Sequence, residues 1–186
     1  MILGTAMRLF AVGGFNSVSL ADIAREVGIT QAGVLHYFPS KAALLLAVIM
    51  AREDDNGAAM QKRRDLGEGM LDAYVGMLGD NDSQPELVQL FVVLAAESTG
   101  PGHPGHDWFA QRTEKALPGI AADFDRWIDP SKLPPGVDST MLARWTLALS
   151  HGLGAQWVFN PTEFDRAGQV ALFINLLKSF RRDPDG

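Results

Sequence analysis

The chain has 186 residues, of which 47% are hydrophobic and 20% are charged, and it contains no Cys. The absence of Cys excludes disulfide frameworks, thiolate zinc sites, Fe–S clusters and cysteine nucleophiles. The composition is typical of a globular chain that forms one compact unit or two small ones, and it excludes an intrinsically disordered chain.

A membrane span or an exported chain is not predicted. The longest charge-free apolar run, Ala42–Ala51, is far shorter than the roughly 18–20 residues that cross a bilayer. The apolar N-terminus has no basic leader, and Arg8 interrupts it, so the pattern does not indicate a signal peptide. We therefore expect a soluble cytoplasmic protein with no membrane partner.

The net charge of −6 is unevenly distributed along the chain. Residues 1–51 carry three basic and two acidic residues, a net charge of +1, whereas residues 52–186 carry 13 basic and 20 acidic residues, a net charge of −7. A phosphate-binding surface is local, so this asymmetry permits an N-terminus that faces DNA. Such a contact would be modest and would be helped by backbone amides.

Four helices are predicted in the first 55 residues. The first carries Ile2, Ala6, Leu9 and Phe10 on one face and stops at Gly13-Gly14. Ser19 caps a second helix that Gly28 ends, and Thr30 caps a short third helix that Pro39 closes. Ser40 caps a fourth helix, which runs to about Asp55 with an apolar stripe at Leu44, Leu45, Val48 and Ile49.

The remaining chain also reads as helix. Helical spacing between Gly and Pro punctuation predicts segments near 58–79, 85–98, 104–128, 138–159 and 163–180. No segment alternates with the period of two that indicates a strand, and no internal repeat is present. The prediction is an all-α protein of about nine helices.

The segment Ser19–Lys41, SLADIAREVGITQAGVLHYFPSK, has the spacing of a helix-turn-helix. Gly28 can adopt the left-handed backbone that the tight turn needs, and Ala24 is small where the second helix crosses closely. We expect Ile29 and Val34 to bury against the preceding helix, and Leu35 and Phe38 to belong to the core or scaffold. Hydroxyl, amide, imidazole and phenol groups would then lie outside the core, at Thr30, Gln31, Gly33, His36 and Tyr37.

This polar helix is suited to the major groove, where its groups can meet base edges and phosphates. Lys41, near the start of the next helix, could bind one phosphate together with free backbone amides. A purely structural role is the alternative for two of these residues. Thr30 could act as a helix cap alone, and Tyr37 could cover the edge of the core.

The N-terminal pattern resembles the TetR family of bacterial repressors over residues 2–50. The resemblance is carried by Ile2, Ala6, Leu9, Phe10, Gly14 and Phe15, then by Ser19, Ile23, Ala24, Val27, Gly28, Ile29 and Thr30, and finally by HYFPSK at 36–41. A weaker similarity lies in HGLGAQWVFNPTEF at 151–164. The resemblance implies a three-helix DNA-binding domain at residues 1–50 and a helical ligand-binding and dimerisation domain at residues 51–186.

The family's DNA-contacting positions fall on six residues, which are Thr30, Gln31, Gly33, His36, Tyr37 and Lys41. Three positions depart from the family pattern. Gln31 stands where many relatives have Lys or Arg, Gly33 where Thr or Ser is common, and Leu35 where an aromatic residue is frequent. These departures remove a phosphate-binding charge and a hydroxyl.

Aromatic and Met side chains of the second domain are core residues by default, and a subset could line an adaptable apolar pocket. Our candidates for this pocket are Phe91, Glu97, Trp108, Arg112 and Trp145. The last two helices are apolar over a wide arc, which suggests a subunit interface. The candidate interface residues are Leu149, Leu153, Trp157, Phe173 and Leu177.

Other kinds of site are less well supported by the sequence. His103 and His106 could suggest a metal with Glu97 or His151, but their Gly- and Pro-rich surroundings favour polar residues at a helix start. The neighbours Ser150 and His151 point about 100° apart on a helix, so they cannot form a nucleophile–base pair. No phosphate-loop or dinucleotide motif is present. We expect no metal, no cofactor and no enzymatic activity.

The leading hypothesis is a homodimeric repressor that binds a palindromic operator and is released by a small molecule, which the Trp and Met content suggests is apolar or aromatic. The alternative is a helix-turn-helix regulator without a small-molecule effector. A large buried pocket lined by several helices would favour the first hypothesis, and a filled core the second.

Overall fold

A computed structural model describes residues 1–182 of the chain, and in this range the protein is all-α. The β pairing within residues 1–182 is an isolated antiparallel bridge between Ile128 and Arg181. Nine α-helices confirm the predicted fold class, with 3₁₀ turns at Pro130–Lys132 and Lys178–Phe180. The helices are α1 (Ile2–Ser17), α2 (Leu20–Val27), α3 (Gln31–Tyr37), α4 (Lys41–Asp65), α5 (Met70–Asp82), α6 (Pro85–Glu97), α7 (His106–Trp127), α8 (Ser139–Trp157) and α9 (Arg166–Leu177).

The chain folds into two compact units. The N-terminal unit contains residues 1–57 and 84–110, and the C-terminal unit contains residues 58–83 and those from 111 onward. The N-terminal unit extends beyond the first four helices because α6 packs along α1. The functional division at residue 50 stays a prediction.

The core of the N-terminal unit joins α1–α4 to α6. Phe10, Ile23, Val34 and Leu44 are completely buried, and Leu94 of α6 belongs to the same cluster. Burying one such side chain contributes about 1.5–3 kcal/mol. The helix-turn-helix is therefore supported by residues that follow it by more than 50 positions in the sequence.

The core of the C-terminal unit combines apolar packing with two buried polar links. Phe124 and Val170 are completely buried in its apolar cluster. The Tyr74 hydroxyl donates a hydrogen bond of 2.8 Å to Ser150 Oγ, which joins α5 to α8.

A buried arginine provides the second link, between α9 and α5. Arg166, which is 5% exposed, donates from Nε to Asp82 Oδ1 at 2.7 Å. Its Nη2 donates to the Leu78 carbonyl at 3.2 Å. The guanidinium thus joins the first residue of α9 to the last turn of α5.

Two predicted helix boundaries differ from the structure. The fourth helix does not end near Asp55, because α4 continues to Asp65 and the helix predicted at 58–79 begins only at Met70. Three cations in the last turn of α4, Lys62–Arg64, favour the helix C-terminus, and Gly67 ends the segment with a positive φ of 95°.

The first helix breaks near the predicted stop but does not end there. Gly14 has φ 71° and ψ 175°, and α1 then continues to Ser17. No single helix among residues 1–182 is long and apolar enough to cross a membrane, whereas the bent pair formed by α3 and α4 reaches that length and composition when the two are counted together.

Candidate nucleic-acid interface

Helix α2 begins with a complete capping box. Ser19 Oγ accepts a hydrogen bond of 3.1 Å from the Asp22 amide, and the Asp22 carboxylate accepts one of 3.0 Å from the Ser19 amide. Hydrogen bonds from the Ser19 hydroxyl and amide, and one from Arg25, lower the pKa of Asp22 to about 2. The start of the helix-turn-helix is therefore defined by local hydrogen bonds, and Ser19 caps α2 as predicted.

The turn between α2 and α3 is also defined locally. Gly28 adopts φ 79° and ψ 29°, the left-handed conformation that glycine permits without strain. The Ile29 amide donates to the Ala24 carbonyl at 3.0 Å, which closes the end of α2. Thr30 Oγ1 accepts a 3.1 Å hydrogen bond from the Gly33 amide, so Thr30 caps α3 as predicted.

Helix α3 buries Val34 and leaves the predicted DNA-contacting side chains accessible. Gln31, His36 and Tyr37 are exposed, as is the capping residue Thr30, and Gly33 is half-buried. The Tyr37 side chain is 68% exposed, and its ring meets the His36 ring edge-on at 5.2 Å between centroids. These positions can reach a DNA groove, and their contact with DNA stays a prediction.

Two apolar residues near α3 are more exposed than predicted. Ile29 is 36% exposed and Leu35 is 38% exposed, so the expectation that Ile29 buries and that Leu35 is a core or scaffold residue is wrong. Val34 alone takes the central buried position of the short helix, and one turn later Phe38 packs against the core as expected. Two alkyl side chains are therefore accessible where the sequence predicted buried or scaffold residues.

Lys41 has partners inside the N-terminal unit. Its Nζ donates to the carbonyls of Phe15 and Val18, at 2.8 and 3.1 Å, and lies 4.2 Å from the centroid of the Phe15 ring. The ammonium thus stabilises the segment that precedes α2. The predicted phosphate contact of Lys41 stays a prediction, and the structure gives the side chain an additional, internal role.

Glu97 binds the same segment through its amides. Its carboxylate accepts hydrogen bonds from the Phe15 amide at 2.6 Å and from the Asn16 amide and side chain at 3.4 and 3.3 Å. Gly14 makes this approach possible, because a Cβ there would lie 2.5 Å from a Glu97 carboxylate oxygen. Residues 14–18, the Gly14–Val18 segment, therefore lie between a carboxylate of α6 and an ammonium of α4.

The connection between α6 and α7 packs on this segment. The His103 ring meets the Phe15 ring edge-on at 5.0 Å, and its Nδ1 accepts a hydrogen bond of 3.1 Å from the Gly105 amide. Burial lowers the pKa of His103. His106 Nδ1 lies 2.8 Å from the Ser98 carbonyl. Within residues 1–182, no three His or acidic side chains group as metal ligands would.

The five predicted pocket residues are divided between the two units. Phe91 and Trp108 both contact Phe109, with centroid distances of 5.4 and 4.8 Å, in the N-terminal unit. Glu97 belongs to that unit and binds the Gly14–Val18 segment as described. Arg112 and Trp145 belong to the C-terminal unit, and Trp145 is 44% exposed. Their contact with a ligand stays a prediction.

A cleft of about 370 Å³ lies in the C-terminal unit, away from the predicted pocket residues. Its apolar lining includes Leu71, Trp127 and Ile174. Asp123, also in the lining, is buried and accepts a 3.1 Å hydrogen bond from the Leu71 amide. None of the five candidates lines this cleft.

The predicted interface residues also divide into two groups. Leu153, Trp157 and Leu177 are each less than 9% exposed within a single chain, so they are core residues and not an accessible face. Leu149 and Phe173 are half-buried. The apolar side chains that α8 and α9 expose are others, namely Met141, Trp145, Leu172 and Leu176. Helices α8 and α9 form where helices were predicted, but their buried and exposed faces were not distinguished, and their role as a subunit interface stays a prediction.

Known proteins share this architecture. The model of the bacterial regulatory proteins of the TetR family matches residues 2–48. The HTH-type transcriptional regulator YuxN of Bacillus subtilis (strain 168) is 36% identical over 74 residues, which cover 40% of this chain and only 25% of YuxN. UidR of Escherichia coli (strain K12), another HTH-type transcriptional regulator, is 26% identical over 159 residues, covering 82% of this chain and 77% of UidR.

A solved structure has the same fold over nearly all of this chain. It is a regulator from Saccharomonospora viridis in complex with choline, which is 20% identical and superposes with a TM-score of 0.71. The superposition covers 98% of this chain and 96% of that regulator. At this identity the likeness concerns the fold.

The capped α2, the left-handed turn at Gly28 and the accessible α3 define a helix-turn-helix DNA-binding transcriptional regulator. The curated relatives are named as transcriptional regulators. Residues 2–48 match the model of the bacterial regulatory proteins of the TetR family, so the N-terminal helices are similar to the DNA-binding domain of that family.

Proposed function

We propose that this protein is a homodimeric, cytoplasmic repressor that binds a palindromic operator and is released from it by a small-molecule effector. The observation that carries the proposal is the helix-turn-helix, in which α3 is capped by Thr30, anchored by Val34 and accessible at Gln31, His36 and Tyr37. A helix with this geometry fits the major groove of B-DNA.

A dimer is supported by the exposed apolar side chains of the last two helices. On α8, Met141 and Trp145 are 39% and 44% exposed and lie one turn apart. On α9, Leu172 and Leu176 are 64% and 73% exposed and are again one turn apart. In a two-fold dimer, these apolar side chains of α8 and α9 would pack against the same side chains of the partner. The two pairs of helices would form a four-helix interface. Two copies of α3 would then reach successive major grooves, about 34–36 Å apart.

Release by a small molecule is supported by the fold and by one relative. The Saccharomonospora viridis regulator was solved in complex with choline, so this fold accommodates a small molecule. Helix α4 contributes residues to both units, from Lys41 to Asp65, and is the natural element to transmit a ligand-dependent change. A ligand would lower DNA affinity by its differential affinity for the two conformations.

The effector that we propose is apolar or aromatic, and Phe91 and Trp108 of the N-terminal unit are its candidate partners. Phe91, Trp108 and Phe109 form a contiguous aromatic cluster that offers flat surfaces to such a molecule. The cleft beside Trp127 is a second place where an effector could be tested, because its volume is within the range of small-molecule sites.

The proposal is tested by gel retardation of DNA from the protein's own upstream region at a stated salt concentration. Tyr37→Ala should weaken binding by about tenfold, as loss of one groove contact does. Phe159→Ala, which removes a 90% exposed aromatic ring far along the sequence, is the matched control and should leave binding unchanged. If Tyr37→Ala and Gln31→Ala both leave retardation unchanged, the assignment of α3 is wrong.

Two further measurements test the finer points. Leu176→Asp should convert a dimer into a monomer in sedimentation analysis, because it introduces a charge into the proposed apolar interface. A panel of small aromatic and apolar molecules, with choline included, should contain at least one that releases the DNA. A panel without effect, together with normal operator binding, would favour a regulator without a small-molecule effector.

A further inference from the structure

The outward face of α3 is partly apolar. With about 100° of rotation per residue, Ala32 and His36 lie roughly 20° on either side of the direction opposite the buried Val34. Leu35 lies about 60° beyond Ala32 on the same side of the helix. All three residues are exposed, and Ala32 precedes Leu35 and His36 by three and four residues, the spacings that place residues side by side on a helix surface.

The exposure of Leu35 is unusual for its place in the fold. Its side chain is 38% exposed on a helix of only seven residues, in which Val34 provides the buried anchor. The preceding turn adds a second alkyl side chain, because Ile29 is 36% exposed. The surface that faces DNA therefore carries branched alkyl groups beside its amide, imidazole and phenol.

An alkyl side chain has one specific partner in the major groove. It cannot donate to a phosphate or to a purine edge, because it has no polar hydrogen. Thymine presents a C5-methyl group in the major groove, and apolar side chains distinguish thymine from the other bases by contact with this methyl. The small side chain of Ala32 allows the helix to approach the base edges closely.

We propose that Leu35 is a specificity-determining residue that contacts the C5-methyl group of a thymine in each operator half-site, beside the small side chain of Ala32. This inference rests on the proposed DNA-binding function. The polar contacts with the neighbouring operator positions then come from Gln31, His36 and Tyr37. Leu35 distinguishes thymine from the other bases through its methyl group.

The test begins with selection of bound duplexes from a randomised double-stranded DNA library, using the full-length protein. In the selected duplex, each thymine is then replaced in turn by deoxyuridine, which removes only the C5-methyl group. One symmetric pair of replacements should weaken wild-type binding by about 4-fold per half-site, the effect of burying one methyl group. The Leu35→Ala protein should bind the thymine and deoxyuridine duplexes equally.

Val12→Ala is the matched control, because it truncates a 79% exposed alkyl side chain of α1 in the same unit. This variant should keep the wild-type ratio between the two duplexes. Circular dichroism and thermal unfolding should show that Leu35→Ala is folded, and Leu35→Met, which keeps an alkyl side chain, should restore part of the ratio.

The possible results distinguish failure of the DNA-binding function from failure of the methyl contact proposed for Leu35. If no duplex is enriched from the library, both the DNA-binding function and this inference fail. If duplexes are enriched but every deoxyuridine replacement is tolerated, the methyl contact is wrong and the function stands. If Leu35→Ala weakens binding to both duplexes by the same factor, Leu35 supports the fold of α3 and does not read a base.

Discussion

The carboxylate of Glu97 accepts a hydrogen bond of 2.6 Å from the backbone amide of Phe15, 82 residues earlier in the chain. From the other side, Lys41 Nζ donates to the carbonyl of the same Phe15. One peptide segment thus has its amides bound by an acidic side chain and its carbonyls by a basic one. Because α2 begins five residues after Phe15, these contacts help to set the position of the helix-turn-helix.

Removal of the Glu97 carboxylate should destabilise the protein. In Glu97→Ala, the part-buried Phe15 amide loses its acceptor, and we expect the free energy of unfolding to fall by about 1–3 kcal/mol. Glu97→Gln keeps an acceptor oxygen without the charge and should lose less. Urea unfolding followed by circular dichroism measures both values, and equal stability of wild type and Glu97→Ala would contradict the assignment.

Lys41 offers a test that separates positioning from phosphate contact. In Lys41→Met, which keeps the apolar stem, the carbonyls of Phe15 and Val18 lose a charge-assisted donor, and stability should fall by about 1–3 kcal/mol. DNA affinity should fall as well, with an unchanged slope of log affinity against log salt.

The control for this experiment is Lys62→Met, which makes the same change at an exposed position on α4. It should leave unfolding unchanged. A salt slope smaller by about 1 in Lys41→Met would show instead that the ammonium also binds a phosphate.

Gly14 is the position where a side chain should be least tolerated. Its φ of 71° and ψ of 175° are a combination that is essentially restricted to glycine, and an added Cβ would also meet the Glu97 carboxylate. Gly14→Ala should therefore lower the free energy of unfolding by about 1–3 kcal/mol.

Gly4→Ala, on the same helix, should have the opposite sign. A Cβ at Gly4 meets no atom within 4 Å, and alanine is favoured over glycine in a helix by about 0.5–1 kcal/mol. Thermal unfolding of the two variants gives the comparison, and two shifts of the same sign would refute the strain argument.

The His151 side chain should make the stability of the protein depend on pH. Burial, with smaller effects of Arg112 and Arg166, lowers the pKa of His151 to about 4 from an ordinary 6.5. Between these values the unfolded chain binds a proton that the folded chain does not. The contribution of His151 to the free energy of unfolding should thus be fully present above about pH 6.5. It should decrease by about 3 kcal/mol as the pH falls to 4.

His151→Gln removes this titration. The difference in unfolding free energy between wild type and variant should therefore change across this window, and it should be constant above pH 7. Chemical unfolding at half-unit pH intervals provides the measurement. Parallel curves from pH 7 to pH 4 would show that His151 is not responsible.

The local parts of the candidate interface were predictable from the sequence. Ser19 and Thr30 cap their helices, and Gly28 adopts the left-handed conformation, because each depends on hydrogen bonds within a few residues. The exposure of Ile29 and Leu35 was not predictable in this way. On so short a helix, the tertiary packing of Val34 decides which neighbour is covered.

Contacts between residues far apart in the sequence were not predictable from local patterns. Nothing in the chain near Glu97 indicates that its carboxylate binds amides of α1. Likewise, the wide apolar arcs of α8 and α9 did not show which face of each helix is buried, because Leu153 and Trp157 belong to the chain's own core. Hydrophobic periodicity shows which helix positions are apolar. It does not show whether the chain's own core or a partner subunit covers them.

The interleaving of the two units in the sequence has a consequence for protein engineering. Leu90 and Leu94 complete the core beneath the helix-turn-helix, although they follow its last helix, α3, by more than 50 residues. In a chimera spliced at residue 50, residues of another protein would replace Leu90 and Leu94 in that core. Transfer of the DNA specificity to a related scaffold therefore requires α6, with the Glu97 carboxylate, together with the first four helices.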